Sequence, residues 1–399
     1  MLRGAIPGET VRAAIVEEKK DYLKAVAVEI ESPSPDRTEP ECPLFGTCGG
    51  CLLQYISHAG QLRLKEEVLR DCLKRQAGIE MPLSPSLINE TCWHYRMRVQ
   101  LKVSQGKIGF YRENTREVIP VDYCPVSAGP INRILREVQP LISSTASADV
   151  FITSGDCAVA LIRLPSNEKK PVPSSQMADE LIKAGFAGVF IINGNGPPLN
   201  YGALYTSFRL GELFYTVSPM TFCQGHWMLN EKTVAFVHET LRPFPGKKVL
   251  DLYAGAGNLS LPLALDAEEV VAVEENPYAL KDARRNLALN NISNCRFIHS
   301  SAESFCRSAS AGFMCDIIIL DPPRPGLSNV VISAVLSILP ERIVYMSCNP
   351  PTLARDLEKL LGRYEVESVR MADFFPQTHH IESLVFLRRL DRVRKQQIS

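Results

Sequence analysis

A chain of 399 residues, 45% apolar and 22% charged, can form two or three domains with sizeable cores and has an ordinary globular balance. Lys and Arg equal Asp and Glu at 44 each, so the zero net charge excludes indiscriminate phosphate binding but permits local basic patches. No apolar run approaches a membrane span and "MLRGAIPGET" has no apolar signal core, so the expectation is a cytoplasmic protein without a membrane partner.

Residues 9–32 hold "TVRAAIVEEK" and "YLKAVAVEIE", whose alternating apolar residues predict a small β unit. The proline-rich "SPSPDRTEPECP" cannot continue a strand or helix and reads as a linker. Three of the 12 cysteines then cluster: Cys42, Cys48 and Cys51. In a cytosolic chain this points to metal, catalysis or burial rather than disulfides. "HAGQLRLKEEVLRDCLKRQAG" sets Leu62, Val68, Leu69 and Leu73 among charges, an amphipathic helix ending at Gly78. From Tyr95 to Val217, strand-like segments separated by turn residues predict a mixed, mostly antiparallel middle domain. One basic patch falls there, at Arg96, Arg98, Lys102, Lys107, Arg112 and Arg116. The tail holds another, at Arg388, Arg389, Arg392, Arg394 and Lys395. A solvated charged face explains either patch equally well.

Near residue 228 the pattern changes to helices alternating with near-continuous apolar strands, the mark of a parallel, doubly wound α/β sheet. Three units are expected. They are a β unit over 1–40, a central domain over 41–230 whose helix 58–79 packs on the next unit, and an α/β domain over 231–399.

In "DLYAGAGNLSL", Gly255 and Gly257 permit a tight turn and a close ligand approach at the carboxyl ends of the strands, although a purely structural turn is also possible. Glu274 ends the next strand, where an acid can accept both hydroxyls of a ribose. Asp321 ends another, in "LDPPRPG". Ser260 stands where a dinucleotide fingerprint has its third glycine, and no helix-borne Lys-Ser/Thr follows, so a P-loop is excluded. Together these features resemble the class I S-adenosylmethionine-dependent methyltransferases, whose cofactor has a ribose and an adenine but no phosphate.

Arg324, not an aromatic residue, follows Asp-Pro-Pro, which argues against transfer to an exocyclic amine. Transfer to a pyrimidine C5 requires a thiolate to add at C6 and a base to remove the C5 proton. Cys348, in "YMSCNPPTLARDL", ends a strand on the ligand-binding edge. The following helix would turn its N-terminal amides toward it and favour a thiolate. Position alone leaves a reactive and an inert Cys348 equally open. Glu382, in "DFFPQTHHIESLVFL", precedes an apolar strand beside His379 and His380 and could serve as base, yet its residues alone read better as a solvated turn.

In order from Gly8 to Arg388, "CPLFGTCGGCLLQ", "DYCPVSAGPIN", "DLYAGAGNLSLP", "LDPPRPGL", "SCNPPTLARDL" and "FPQTHHIESL" resemble the motifs of the bacterial RNA (uracil-5-)-methyltransferases. The resemblance implies a Rossmann-like methyltransferase domain, the β middle domain and a partial TRAM-like RNA-binding unit over 1–40. It implies 5-methyluridine formation in structured RNA, with Cys348 as nucleophile and Glu382 as the base. Gln224, Tyr253, Asn258, Glu274, Asp321 and, more loosely, Ser301 match positions that bind S-adenosylmethionine. Gly225-His226 departs from the Val-Asn that often follows the motif glutamine.

Cys42, Cys48, Cys51 and the distant Cys124 match the four-cysteine set of the iron–sulfur branch. By spacing alone zinc is slightly preferred; with the resemblance, a [4Fe-4S] cluster is expected. That branch implies 23S ribosomal RNA as the substrate, with transfer RNA as the alternative, and a monomeric enzyme. A non-catalytic, metal-bearing RNA-binding protein is the competing class, disfavoured because both Cys348 and Glu382 are present.

Overall fold

The computed structural model describes residues 2–142, 147–166, 174–242, 244–309 and 312–390, so Arg392, Arg394 and Lys395 of the tail patch lie outside the described residues. The alternating N-terminal stretches form β1 (Leu2–Arg3), β2 (Thr10–Glu18) and β3 (Leu23–Ser32), in the order β1-β3-β2. Ile15, Val16 and Val28 are exposed, so this sheet has little core of its own. Glu9 fastens it to the linker: its carboxylate accepts from Ile6 N, Ser34 N and the Arg37 guanidinium at 2.8, 3.0 and 2.5 Å. The Arg37 hydrogen bond leads in pulling the Glu9 carboxyl down to about 2.

Helix α1 (His58–Ala77) is capped by the Ser57 hydroxyl and ended by left-handed Gly78. Leu69 and Leu73 are buried among α/β-domain residues such as Leu353 and Leu357, while Val68 is exposed and off the stripe. Truncating either buried leucine would cost about 2–5 kcal/mol. The next strand, β4 (Ser84–Leu87), pairs with the edge of the α/β sheet. Residues 58–87 thus lean on the α/β domain, although they lie inside the stretch read as central.

The central sheet comprises β5 (Arg98–Ser104), β6 (Lys107–Tyr111), β7 (Val118–Pro120), β8 (Ser147–Ser154), β9 (Ala158–Leu164), β10 (Gly188–Asn193) and β11 (Leu199–Gly202). Its order is β11-β10-β9-β8-β5-β6-β7, and only the β9–β10 pair is parallel. Helices α2 (Gly129–Ile142) and α3 (Ser174–Lys183) pack on it through Ile131, Leu135, Met177 and Leu181.

The hairpin β12 (Thr206–Leu210) and β13 (Leu213–Val217) pairs only with itself. β11 already occupies the edge of the central sheet, so the hairpin buries Phe208 and Tyr215 against Trp227 instead, in a core shared with Val237 and Val249. The hairpin thus shares its core with the α/β domain, although it lies inside the stretch read as central. A period-two pattern reveals a strand but not the sheet it joins.

The α/β domain contains α4 (Trp227–Leu241), β14 (Lys248–Leu252), α5 (Ser260–Ala264), β15 (Glu269–Glu274), α6 (Pro277–Leu289), β16 (Cys295–His299) and α7 (Ala302–Ala309). It continues with β17 (Ile317–Leu320), α8 (Asn329–Ile338), β18 (Arg342–Ser347), α9 (Pro350–Leu360), β19 (Tyr364–Ala372) and β20 (Glu382–Arg389). The strand order is β16-β15-β14-β17-β18-β20-β19-β4. β14 to β18 run parallel, and β20 enters antiparallel between β18 and β19. Helices α1, α7, α8 and α9 bury one face; α4, α5 and the hairpin bury the other. This is the Rossmann-like methyltransferase architecture. No helix among the described residues is long and apolar enough to cross a membrane.

Candidate active site

The turn after β14 departs from ordinary backbone geometry. Tyr253, Gly255 and Gly257 have φ of 69°, 58° and 94°. At φ 94° Gly257 holds a backbone conformation that a side chain would strain, and a Cβ there would also crowd Leu261. The turn aims backbone at Glu274, whose carboxylate accepts from Gly255 N at 2.8 Å and Asn276 N at 2.7 Å. Gln224, Tyr253, Glu274 and Asp321 line a cavity of about 830 Å³ on this edge. Burial pushes the Asp321 carboxyl up to about 7.

Two expected cofactor residues take other places. The Asn258 amide exchanges two hydrogen bonds with Asn230, at 2.7 and 2.9 Å, and ties the glycine turn to α4 rather than lining the cavity. The Ser301 hydroxyl caps α7, accepting from Ser304 N at 3.2 Å, while its neighbours Ser300 and Ala302 line the cavity.

Sequence reasoning missed Asp282. This buried carboxylate on α6 accepts from Ser218 N, Ser218 Oγ and Thr221 Oγ1 at 2.8, 2.8 and 2.6 Å. It thereby holds the segment that presents Phe222 and Gln224. Its signal was an acid at helical spacing between Ala279 and Asn286, both also buried.

Cys348 follows the last residue of β18 and is half-buried. Asn349 fixes the turn: its Nδ2 donates to Arg324 O at 3.1 Å and its N–H to Ser347 Oγ at 3.2 Å. Burial pushes the Cys348 thiol up, Glu382 and Asp321 push it further, and Arg324 draws it back. Burial and the two carboxyls thus work against the thiolate that the helix terminus was expected to favour. Glu382 is likewise not in a solvated turn. It opens β20 paired with Ala372, beneath the loop 373–381. Burial, then Asp321, pushes its carboxyl up to about 8 against an opposing pull from Arg324.

A second cavity, of about 690 Å³, opens toward the central domain and is lined by Arg96, Lys102, Arg112, His379 and His380. Phe222, Arg324, Cys348, Phe375 and Glu382 line both cavities. The cofactor-side space and the basic space therefore join at Cys348 and Glu382. Phe222 is 67% exposed at this join, a placement its sequence does not reveal.

The four cysteines Cys42, Cys48, Cys51 and Cys124 line one small pocket with Leu44, Phe45 and Phe110. Burial raises Cys42 and Cys48 and takes Cys51 up to about 12; the nearby Cys124 adds to each. Among the described residues, no group of three or more His, Cys, Asp or Glu is placed to hold a metal ion.

The tRNA (uracil-5-)-methyltransferase family model matches residues 206–390. A 23S rRNA (uracil(1939)-C(5))-methyltransferase RlmD from Shewanella sp. (strain ANA-3) is 35% identical over 402 residues, covering 96% of this chain and 89% of that protein. An uncharacterized RNA methyltransferase from Aquifex aeolicus (strain VF5) is 32% identical, over 97% of this chain and 92% of that one. Among solved structures, Pyrococcus abyssi tRNA (uracil-54, C5)-methyltransferase in complex with S-adenosyl-L-homocysteine superposes with TM-score 0.75 at 25% identity, covering 97% of this chain and 95% of that one. The chain is a methyltransferase and belongs to the RNA (uracil-5-)-methyltransferase family.

Proposed function

We propose that this enzyme methylates C5 of a uracil in structured RNA through a covalent Cys348 adduct. The observation that carries the reading is the meeting of two cavities at Cys348 and Glu382. When bound, S-adenosylmethionine supplies an electrophilic methyl group. Glu274 would accept its ribose hydroxyls, with Gln224, Tyr253 and Asp321 lining the same cavity. The Cys348 thiolate, left when the thiol proton passes to solvent, adds to uracil C6, and the displaced electron pair makes C5 nucleophilic. Once C5 is methylated, Glu382 removes its proton. The electrons of that C–H bond restore C5=C6 and expel the Cys348 thiolate. A carboxylate with a raised pKa is a stronger base for this last step.

Arg96, Lys102 and Arg112 suit the phosphates of an RNA in the second cavity. Likeness to the Shewanella protein favours 23S rRNA as the substrate; likeness to the Pyrococcus structure keeps transfer RNA as the second reading. The exposed sheet over 1–40 would add a TRAM-like RNA contact. An RNA substrate is consistent with action in the cytoplasm.

The four cysteines suit a [4Fe-4S] cluster. They share one small pocket, and a [4Fe-4S] cluster takes four thiolates. The chemistry above moves no electrons, so the cluster would be structural. Incubating the enzyme with labelled S-adenosylmethionine and either 23S rRNA or tRNA, then analysing nucleosides by mass spectrometry, tests the reading. 5-Methyluridine in the ribosomal RNA is expected; no 5-methyluridine in either RNA would overturn it.

A further inference from the structure

The loop 373–381 joins β19 to β20 and delivers Glu382. It also places Phe375, His379 and His380 on the cavity wall. At its centre Gln377 has φ of 69°, a left-handed conformation that a side chain makes unfavourable. Such a residue persists only where its surroundings hold it.

The holding groups come from far away in sequence. The buried Gln61 of α1 accepts from Gln377 N at 2.9 Å and donates through Nε2 to Gln377 Oε1 at 2.9 Å. The same Nε2 lies 3.1 and 2.8 Å from Leu53 O and Ile56 O. Leu52 N and Leu53 N, directly after Cys51, donate to Gln377 O at 2.9 and 3.0 Å. One turn further along α1, buried Lys65 donates to Asp373 Oδ1 at 2.7 Å and Phe375 O at 3.0 Å, and Tyr95 OH donates to Pro376 O at 3.1 Å. Every backbone polar group of Gln377 is thus taken by the cysteine-bearing loop or by α1.

We infer that Gln61 is a positioning residue for the base: through its paired amide with Gln377 it locks the loop that aims Glu382 at uracil C5. The inference rests on the reading of Glu382 as base. Gln61 touches neither cavity, so its effect must pass through the loop. A misaimed base spares the addition of Cys348 and the methylation of C5 but slows proton removal. The signature is a lingering covalent protein–RNA adduct.

The test compares wild type, Gln61→Leu, Gln61→Glu and Glu382→Gln as full-length, metal-replete proteins. Gln61→Glu keeps the acceptor for Gln377 N and loses the donor, so it serves if the leucine variant does not fold. RNA carrying tritium at uracil C5 reads proton loss, labelled methyl reads transfer, and denaturing gels read the adduct. Hydrogen exchange over 373–381 reads the lock itself. The expected result for either Gln61 variant is tritium release slowed by about tenfold or more, methyl transfer nearly unchanged, adduct accumulation and faster exchange in the loop. Wild-type adduct resolution would overturn the inference. So would a parallel fall of transfer and release without adduct, which is what a merely structural residue gives. If Glu382→Gln itself forms no adduct, the assignment of Glu382 fails, and that outcome is distinct from failure at Gln61 alone.

Discussion

Cys348 and Glu382 flank one end of the β18–β20 ladder: Ser347 pairs with Ser383, Cys348 directly follows Ser347, and Glu382 directly precedes Ser383. Both residues line the two cavities that meet there. C6 and C5 of uracil are bonded neighbours, so a nucleophile for one and a base for the other belong at adjacent positions. Register in the sheet supplies that adjacency. Replacing Cys348 by alanine is expected to abolish 5-methyluridine formation while S-adenosylhomocysteine binds as in wild type by calorimetry. A variant that still methylates would rule out the covalent route.

Glu382→Gln removes the base but leaves the nucleophile. Methylated RNA should then remain attached to the protein on denaturing gels. In wild type, proton removal requires the carboxylate, so adduct resolution should rise with pH and level off above about 8. A pH-independent resolution rate would show that another group takes the proton.

The same carboxyl has a cost in stability. Its folded pKa of about 8 lies above the ordinary value of 4.5, so the folded state keeps the proton longer than the unfolded chain. Between those values a rise in pH favours unfolding. Glu382→Gln should therefore be more stable than wild type by about 1–2 kcal/mol near pH 8, with no gain near pH 4. Denaturant melts at the two pH values check this; equal differences at both would contradict it.

Some of this was legible in the chain and some was not. Alternation of strands and helices exposed the α/β sheet, and strand ends exposed Gly255, Glu274, Asp321 and Cys348, because ligand-facing residues of such sheets sit at those ends. The hairpin at Thr206–Val217 was a visible strand pair with an invisible partner. Motif spacing gave the positions of Asn258 and Ser301 along the chain but not the directions of their side chains, toward Asn230 and Ser304 N. Gln61, Lys65 and Asp282 act on residues distant in sequence, and Gln61 meets Gln377 across 316 positions. Nothing local marks such a partner.

Glu274 offers a test confined to the cofactor side. Two backbone amides hold its carboxylate at the end of β15. Glu274→Gln keeps the size but sets an NH2 donor against one of those amides and weakens acceptance of ribose hydroxyls. Affinity for S-adenosylhomocysteine should fall by about tenfold, the equivalent of about 1.4 kcal/mol, while RNA affinity is unchanged. Loss of RNA binding with normal cofactor affinity would reverse the assignment of the two cavities.

The cysteine pocket makes the last prediction. The Cys42, Cys48 and Cys51 thiols are pushed up by burial and by neighbouring cysteines, so a metal group must displace protons to bind. Loading should therefore improve as pH rises. Protein purified without oxygen should carry about four iron and four sulfide per chain. Cys51→Ser should lose them, whereas Cys72→Ser, whose thiol is outside the pocket, should keep them. Cys51 directly precedes Leu52 and Leu53, whose amides hold Gln377. Loss of the metal group should therefore also speed hydrogen exchange in the loop 373–381. Stoichiometric zinc without sulfide would replace the cluster by a single ion, and unchanged exchange in Cys51→Ser would separate the cysteine set from the loop.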